Sequence, residues 1–265
     1  VGYLKSPAGI EPLMRILEDT DEQASWRWAA CEALGRIGDR KALPALKKAY
    51  ESQDSTLRSY VVAAMRNFSG KEIEEFLIDS LRDSFWRVRV SAAESLGMMK
   101  SEAGVPILIY KARRDPENPV RLASISAIGS IGSREGFAFL GELLSDEKTP
   151  ASSRTEAGRI LVEKDLQHSF TIIETVIAKE WDRSNSAILG ALCKALSTAE
   201  WSGLDGIYDR MLGHKDLAIR IYGLRGIRLN KFVQLRERIV PLTEKGIPEI
   251  IRKNALDTLS ALDAP

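Results

Sequence analysis

The chain has 265 residues, 38 Lys and Arg against 37 Asp and Glu, and a formal charge of +1. That balance supplies no molecule-wide field for nucleic acid or an anionic membrane, and it holds in each half, with 19 basic and 18 acidic residues up to position 132 and 19 of each after it. The 44% apolar share is enough to fill a large core, yet the longest apolar runs, such as that at 105–109, fall far short of the roughly 18 residues a spanning helix needs.

Along the chain a unit of about 32 residues repeats. An Arg recurs at positions 27, 58, 89, 121, 154, 220 and 252, with gaps of 31, 31, 32, 33, 66 and 32, and Ser186 stands in the slot that divides the gap of 66. Around each slot the residue before it and those three, four and seven after it are mostly apolar or small. Trp26, Ala30, Cys31 and Leu34 fill these places in the first unit, Val88, Ala92, Ala93 and Leu96 in the third, and Ile251, Ala255, Leu256 and Leu259 in the last. This spacing is one face of an α-helix. A second periodic run precedes each slot: Ile10-Leu13-Met14-Leu17, Leu43-Leu46-Tyr50, Ile73-Phe76-Leu77-Leu81, Val105-Leu108-Ile109, Phe137-Leu140-Leu144, Ile172-Val176, Leu204-Ile207-Leu212 and Phe232-Leu235-Ile239.

Each unit is therefore predicted to be a helical hairpin, with bounds near 6–39, 40–70, 71–100, 101–133, 134–165, 166–199, 200–230 and 231–262. Turn-forming stretches such as Thr20-Asp21-Glu22, Gln53-Asp54-Ser55 and 115–119 separate the two helices. Gly38, Gly70 and Gly132 are expected to close second helices as left-handed caps. Pro12, Pro44 and Pro106 fall early in first helices, where a missing N–H costs least. Two short helices cannot bury their apolar faces alone, so the hairpins must stack. The predicted fold is all-α: one array over residues 1–265, a curved α-solenoid of about eight hairpins whose second helices line the concave face.

The strings at 29–39 (AACEALGRIGD) and 88–97 (VRVSAAESLG), and the opening Ala42-Leu43-Pro44-Ala45-Leu46, carry a resemblance. They look like HEAT repeats, in particular the short HEAT-like repeats named after phycobilisome lyases. The likeness spans about residues 6 to 262 and weakens in the fifth and sixth units, where Ser153, Asn185 and Ser186 replace the apolar-Arg pair. It implies a noncatalytic scaffold or adaptor that binds a protein or peptide segment.

Other members of this fold imply chemistry that the residues do not match. The HEAT-like alkylpurine DNA glycosylases would imply a catalytic Asp, aromatic side chains and a basic concave groove. Trp26, Trp28, Trp86, Trp181 and Trp201 are present, but the charge balance does not supply the groove. The di-iron hydroxylases of a translation-factor lysine would require several His-Glu pairs, whereas His168 and His214 have no second His within helical reach. A bilin-lyase reading would need Cys31 or Cys193 exposed, and both read as small buried hydrophobes in distant units. No catalytic residue, cofactor or metal is expected. With no signal-peptide pattern after Val1, a cytoplasmic location is the expectation, and a removed leader stays open.

Two sets of residues are singled out. The Arg series (Arg27, Arg58, Arg89, Arg121, Arg154, Arg220, Arg252) lies within the apolar arc of the second helices, so its charges must be paired. The turn residues Asp21, Asp54, Asp83, Asp115 and Asp216, a few positions upstream, are the candidate partners linking repeats. The second set lies one, two and five positions after the slot, on the open face: Trp28, Tyr60, Val90, Leu122, Ile188, Ile221, Tyr222 and Arg225, with Glu32, Glu94 and Arg159 beside them. This apolar and aromatic face is the expected partner site, with self-association through it as the alternative. The run from Ser186 to Ser197 carries only Lys194 as a charge, so that helix is expected to be covered on more than one side.

Overall fold

The computed structural model describes residues 7–264. The start of the first expected unit, residue 6, lies outside them. The described residues form sixteen α-helices and no strand. In order these are α1 (Ile10–Glu18), α2 (Ala24–Ile37), α3 (Leu43–Tyr50), α4 (Ser55–Met65), α5 (Lys71–Ser80), α6 (Trp86–Met99), α7 (Val105–Arg114) and α8 (Asn118–Ile131). They are followed by α9 (Arg134–Ser145), α10 (Ala151–Lys164), α11 (Leu166–Glu180), α12 (Ala187–Leu196), α13 (Asp205–Leu212), α14 (Leu217–Asn230), α15 (Arg236–Ile239) and α16 (Glu249–Asp263). The helices group into two compact units, one up to Phe139 and one from Leu140 onward, with the division inside α9.

Local sequence sets the helix ends. Asp54 opens α4 by accepting the Thr56 and Leu57 N–H groups, Ser186 opens α12 by accepting that of Leu189, and Asp216 opens α14 by accepting that of Ala218. Gly38 (φ 72°) and Gly132 (φ 76°) close α2 and α8 in the left-handed conformation expected of them. Gly70 does not: α4 already stops at Met65, and Gly70, at φ 129° and ψ 153°, leads into α5 instead. Lys100 (φ 53°) and Lys231 (φ 51°) hold the left-handed cap after α6 and α14, a position composition would have left to glycine. The first helix of the last hairpin is also shorter than its periodicity predicts. Pro241 has no N–H to extend α15, and the chain continues as a 3₁₀ turn over Val240–Thr243.

Within the N-terminal unit the second helices pack in a row, α2 on α4, α4 on α6 and α6 on α8. In the C-terminal unit α10 packs on α12, α12 on α14 and α14 on α16. Leu34, Leu57, Met65, Leu96, Ile125 and Ile128 are wholly buried in the first row. Each contributes about 1.5–3 kcal/mol of apolar transfer. A Cβ added at Gly97 would lie 2.8 Å from the Ala127 Cα, so α6 and α8 approach as closely as their backbones allow.

These contacts define a register, best expressed by counting from the Arg slot. Position +4 of one repeat meets position +6 of the next. Ser95 Oγ (+6) lies 3.4 Å from the Val62 carbonyl (+4), Thr258 Oγ1 (+6) lies 3.3 Å from that of Leu224 (+4), and a Cβ on Gly158 (+4) would meet the Leu192 side chain (+6) at 2.6 Å. The slot and +4 thus point forward along the chain of hairpins. Positions −1 and +6, seven residues apart on one helical face, point backward.

Candidate functional site

The forward direction of the slot decides where the guanidinium groups go. Arg58 Nε and Nη2 donate to both oxygens of Asp83, each at 2.9 Å, and its Nη1 donates to the Ser52 carbonyl at 2.9 Å. Arg89 repeats the pattern one level on: Nε and Nη2 reach Asp115 at 2.8 and 2.7 Å, and Nη1 reaches the Asp83 carbonyl at 2.9 Å. Arg121 Nη1 then takes the Asp115 carbonyl at 2.7 Å. The acidic partner is therefore the residue six before the slot of the following repeat, while the Arg's own turn contributes carbonyl oxygens. Asp83 and Asp115 are each held from both sides, and the result is a continuous ladder, Arg58–Asp83–Arg89–Asp115–Arg121.

Burial pushes the Asp83 carboxyl up, but the Arg58 guanidinium, the Phe85 N–H and the Tyr50 hydroxyl offset it and hold the group below the usual carboxylate range. Burial acts the same way on Asp115, where Arg89, the Glu117 N–H and Lys111 prevail and hold it low. In the C-terminal unit Arg154 Nη2 sits 3.3 Å from Glu180 Oε1, and its Nε donates to the Leu144 carbonyl at 2.9 Å. Ser186, in the Arg slot, donates to Glu180 Oε2 at 2.9 Å.

The other expected partners do different work. Asp54 and Asp216 lie four, not six, before their slots and cap α4 and α14. Asp54 also accepts the Trp28 Nε1–H at 2.8 Å, while Arg27 donates to the Leu17 carbonyl at 3.1 Å. The Nε of Arg220 is buried without a partner. Six before the slot of α14 stands His214, whose Nδ1 accepts the Asp216 N–H at 3.0 Å and whose Nε2 lies 3.1 Å from the Trp181 carbonyl. Those contacts fit the neutral ring carrying its proton on Nε2. His168 is exposed beside Asp165. Among the described residues no group of three or more His, Cys, Asp or Glu is placed to hold a metal ion.

On the open face of the N-terminal unit, Trp28 and Tyr60 stack with ring centroids 5.9 Å apart and planes 8° from parallel. Tyr60 is 36% exposed, and Trp28, Val90 and Leu122 are partly exposed. In the C-terminal unit Ile221 and Tyr222 are partly exposed and Arg225 is exposed. Ile188 departs from expectation. It is buried together with Leu189, Leu192, Cys193 and Leu196 of α12, which packs inside its own unit and turns Lys194 outward. Arg159 is held by Glu156 and Glu163 at 2.7 and 2.6 Å, so its charge is locally neutralised. Cys31 and Cys193 are free and wholly buried. Burial raises the Cys31 thiol and pushes that of Cys193 up to about 12.

The profile of a family described as spirochaete HEAT repeat protein matches residues 1–258. Among curated proteins, "Uncharacterized phycocyanin operon protein Z" of Pseudanabaena tenuis is 27% identical over 159 residues, 56% of this chain and 76% of that protein. The deoxyhypusine hydroxylase of Schizosaccharomyces pombe is 31% identical over 138 residues, 49% of this chain but only 43% of the hydroxylase. Two solved structures show the same fold. The complex of CpcE and CpcF of phycocyanin lyase from Nostoc matches at a TM-score of 0.50 and 19% identity, over 96% of this chain and 94% of that one. The Escherichia coli protein YibA matches at a TM-score of 0.60 and 18% identity, over 94% and 92%.

Proposed function

The chain belongs to the spirochaete HEAT repeat protein family, and from that premise we propose that it is a noncatalytic scaffold that binds a protein segment on the open faces of its second helices. One observation carries this reading. The stacked Trp28–Tyr60 pair leaves an aromatic surface partly in solvent where the helices of a monomeric array ordinarily place charge. Large planar side chains with few rotatable bonds are the usual anchors of protein interfaces, and partly exposed aliphatic neighbours such as Val90 and Leu122 suit a desolvated contact around them. The near-neutral charge supports a protein rather than a nucleic acid as ligand.

The test is affinity capture from the cell of origin with two surface variants, Tyr60→Asp for the N-terminal unit and Ile221→Asp with Tyr222→Ala for the C-terminal unit. Loss of the same bound protein in either variant, with helical circular dichroism intact, is the expected result. Capture undiminished in both folded variants would remove the reading. A second reading, a role in handling a bilin, draws on the likeness to the phycocyanin operon protein. It predicts that an open-chain tetrapyrrole titrated into the protein changes its visible absorption, without covalent attachment at the buried thiols.

A further inference from the structure

One rung of the ladder lacks its acid. Arg58 finds Asp83, Arg89 finds Asp115 and Arg154 finds Glu180, each the residue six before the slot of the following repeat. Six before the slot of α16 stands Gly246. It is exposed, at φ 104°, and a Cβ built on it would meet nothing within 4 Å, so the place of the turn carboxylate is open to solvent. The Arg220 side chain makes no hydrogen bond or ion pair with any described residue, Glu244 and Glu249 of that turn included, and its Nε is buried. The fork that elsewhere in the ladder binds a carboxylate through two N–H groups is left without one.

The open face beside it is basic as well. α14 contains three Arg and no acid. Its Arg225 and Arg228, with Lys194 on α12 and Lys253 on α16, are exposed and form no ion pair among the described residues. Glu156 and Glu163 on α10 are taken up by Arg159, and Asp257 is the remaining acid at these positions. The matching positions of the N-terminal unit balance instead, Arg36 and Arg66 against Glu32 and Glu94. Ile221 and Tyr222, partly exposed, and Leu229, 42% exposed, share the α14 face with the cations. Apolar side chains and an acid among the cations suit a protein chain bearing carboxylates better than a phosphate backbone, which favours an unbroken cationic track.

Given a scaffold that binds a protein segment, we propose that the segment held by the C-terminal unit is acidic. One carboxylate seats on the Arg220 fork in the place Gly246 leaves open, and others lie against Arg225 and Arg228. Arg220 and Arg225 are about 7.5 Å apart along the helix axis at 1.5 Å per residue, close to the roughly 6.6 Å between alternate residues of an extended chain. Acids two apart in such a segment therefore reach both. The partly buried guanidinium makes the strongest of these contacts, because its bonds to a carboxylate are charge-assisted and screened from water, and Ile221 and Tyr222 add apolar contact beside it.

Fluorescence anisotropy of the full chain at low ionic strength, with a labelled heptapeptide of Glu alternating with Leu or Ser, reads this directly. The peptide is expected to bind, and its Gln counterpart to bind about tenfold more weakly or less. Arg220→Met, or Arg225→Gln with Arg228→Gln, should each weaken binding of the Glu peptide by about tenfold, whereas Arg66→Gln, at an exposed cation of the N-terminal unit, should leave it unchanged. Arg220 has no partner to strand and the other residues are exposed, so helical circular dichroism and melting temperature should match the parent. If Arg220→Met loses helical signal, the exposed Gln pair decides. No binding of the Glu peptide, equal binding of the Gln peptide, or binding that the folded Arg variants do not weaken overturns the proposal. So does a single-stranded oligonucleotide that binds more tightly through the same residues. Capture of a cellular protein that Ile221→Asp with Tyr222→Ala abolishes but both Arg variants retain also overturns it, and leaves the scaffold reading standing.

Discussion

Arg89→Ala removes the most enclosed rung of the ladder. The Arg89 and Asp115 side chains are 8% and 0% exposed, so the substitution strands a carboxylate in the interior and leaves the Asp83 and Ser84 carbonyls without their guanidinium donor. Removing one member of such a pair costs about 3–5 kcal/mol. Asp115 keeps Lys111 at 3.3 Å and the Glu117 N–H at 3.1 Å, which places the loss near the lower end of that range. About 3 kcal/mol corresponds to a fall in melting temperature of roughly 6–12 °C for a chain of this size. Thermal and urea unfolding followed by helical circular dichroism give the number, with Arg82→Ala as the control, since Arg82 and Asp79 form a pair 66% and 72% exposed. The double replacement Arg89→Met with Asp115→Leu, which buries apolar groups in place of charges, should recover most of the stability. An Arg89→Ala shift no larger than that of Arg82→Ala would refute the ladder as a source of stability.

Three further outcomes follow from the same geometry. The folded pKa values of Asp83 and Asp115 lie below the unfolded value of about 3.9; the stability they contribute is present above that value and lost as pH falls through the lower folded ones. Urea midpoints should hold down to about pH 5 and drop below about pH 4, with a shallower drop in Asp115→Asn. Gly97→Ala forces a methyl against the Ala127 backbone and should cost about 1–3 kcal/mol, whereas Gly206→Ala, where a Cβ meets nothing within 4 Å, should be neutral or mildly stabilising; equal effects would argue against the close approach of α6 and α8. A thiol reagent at neutral pH should label Cys31 and Cys193 only as fast as the chain opens, and rapid labelling of the folded protein would contradict their burial.

The sequence by itself determined the repeating unit, because an apolar face recurring at helical spacing every 31 to 33 residues has no other economical burial than a stack of hairpins. Residue chemistry also identified the Arg slot, since a charge inside an apolar arc demands a partner, and it marked the partly exposed second-helix residues from Trp28 to Tyr222. Which partner each Arg would reach was not legible. Asp54 and Asp83 look alike in a string of turn residues, yet one lies four before its slot and caps its own helix, while the other lies six before and receives the guanidinium of the preceding repeat. That distinction depends on which neighbour a helix face meets, a property of stacking direction rather than of local spacing. The same holds for Ile188, whose place in the count put it on the open face until the packing of α12 buried it. It holds for Leu256 and Trp26 as well: as apolar residues at packed positions they read like all the others, and the structure leaves them 52% and 58% exposed.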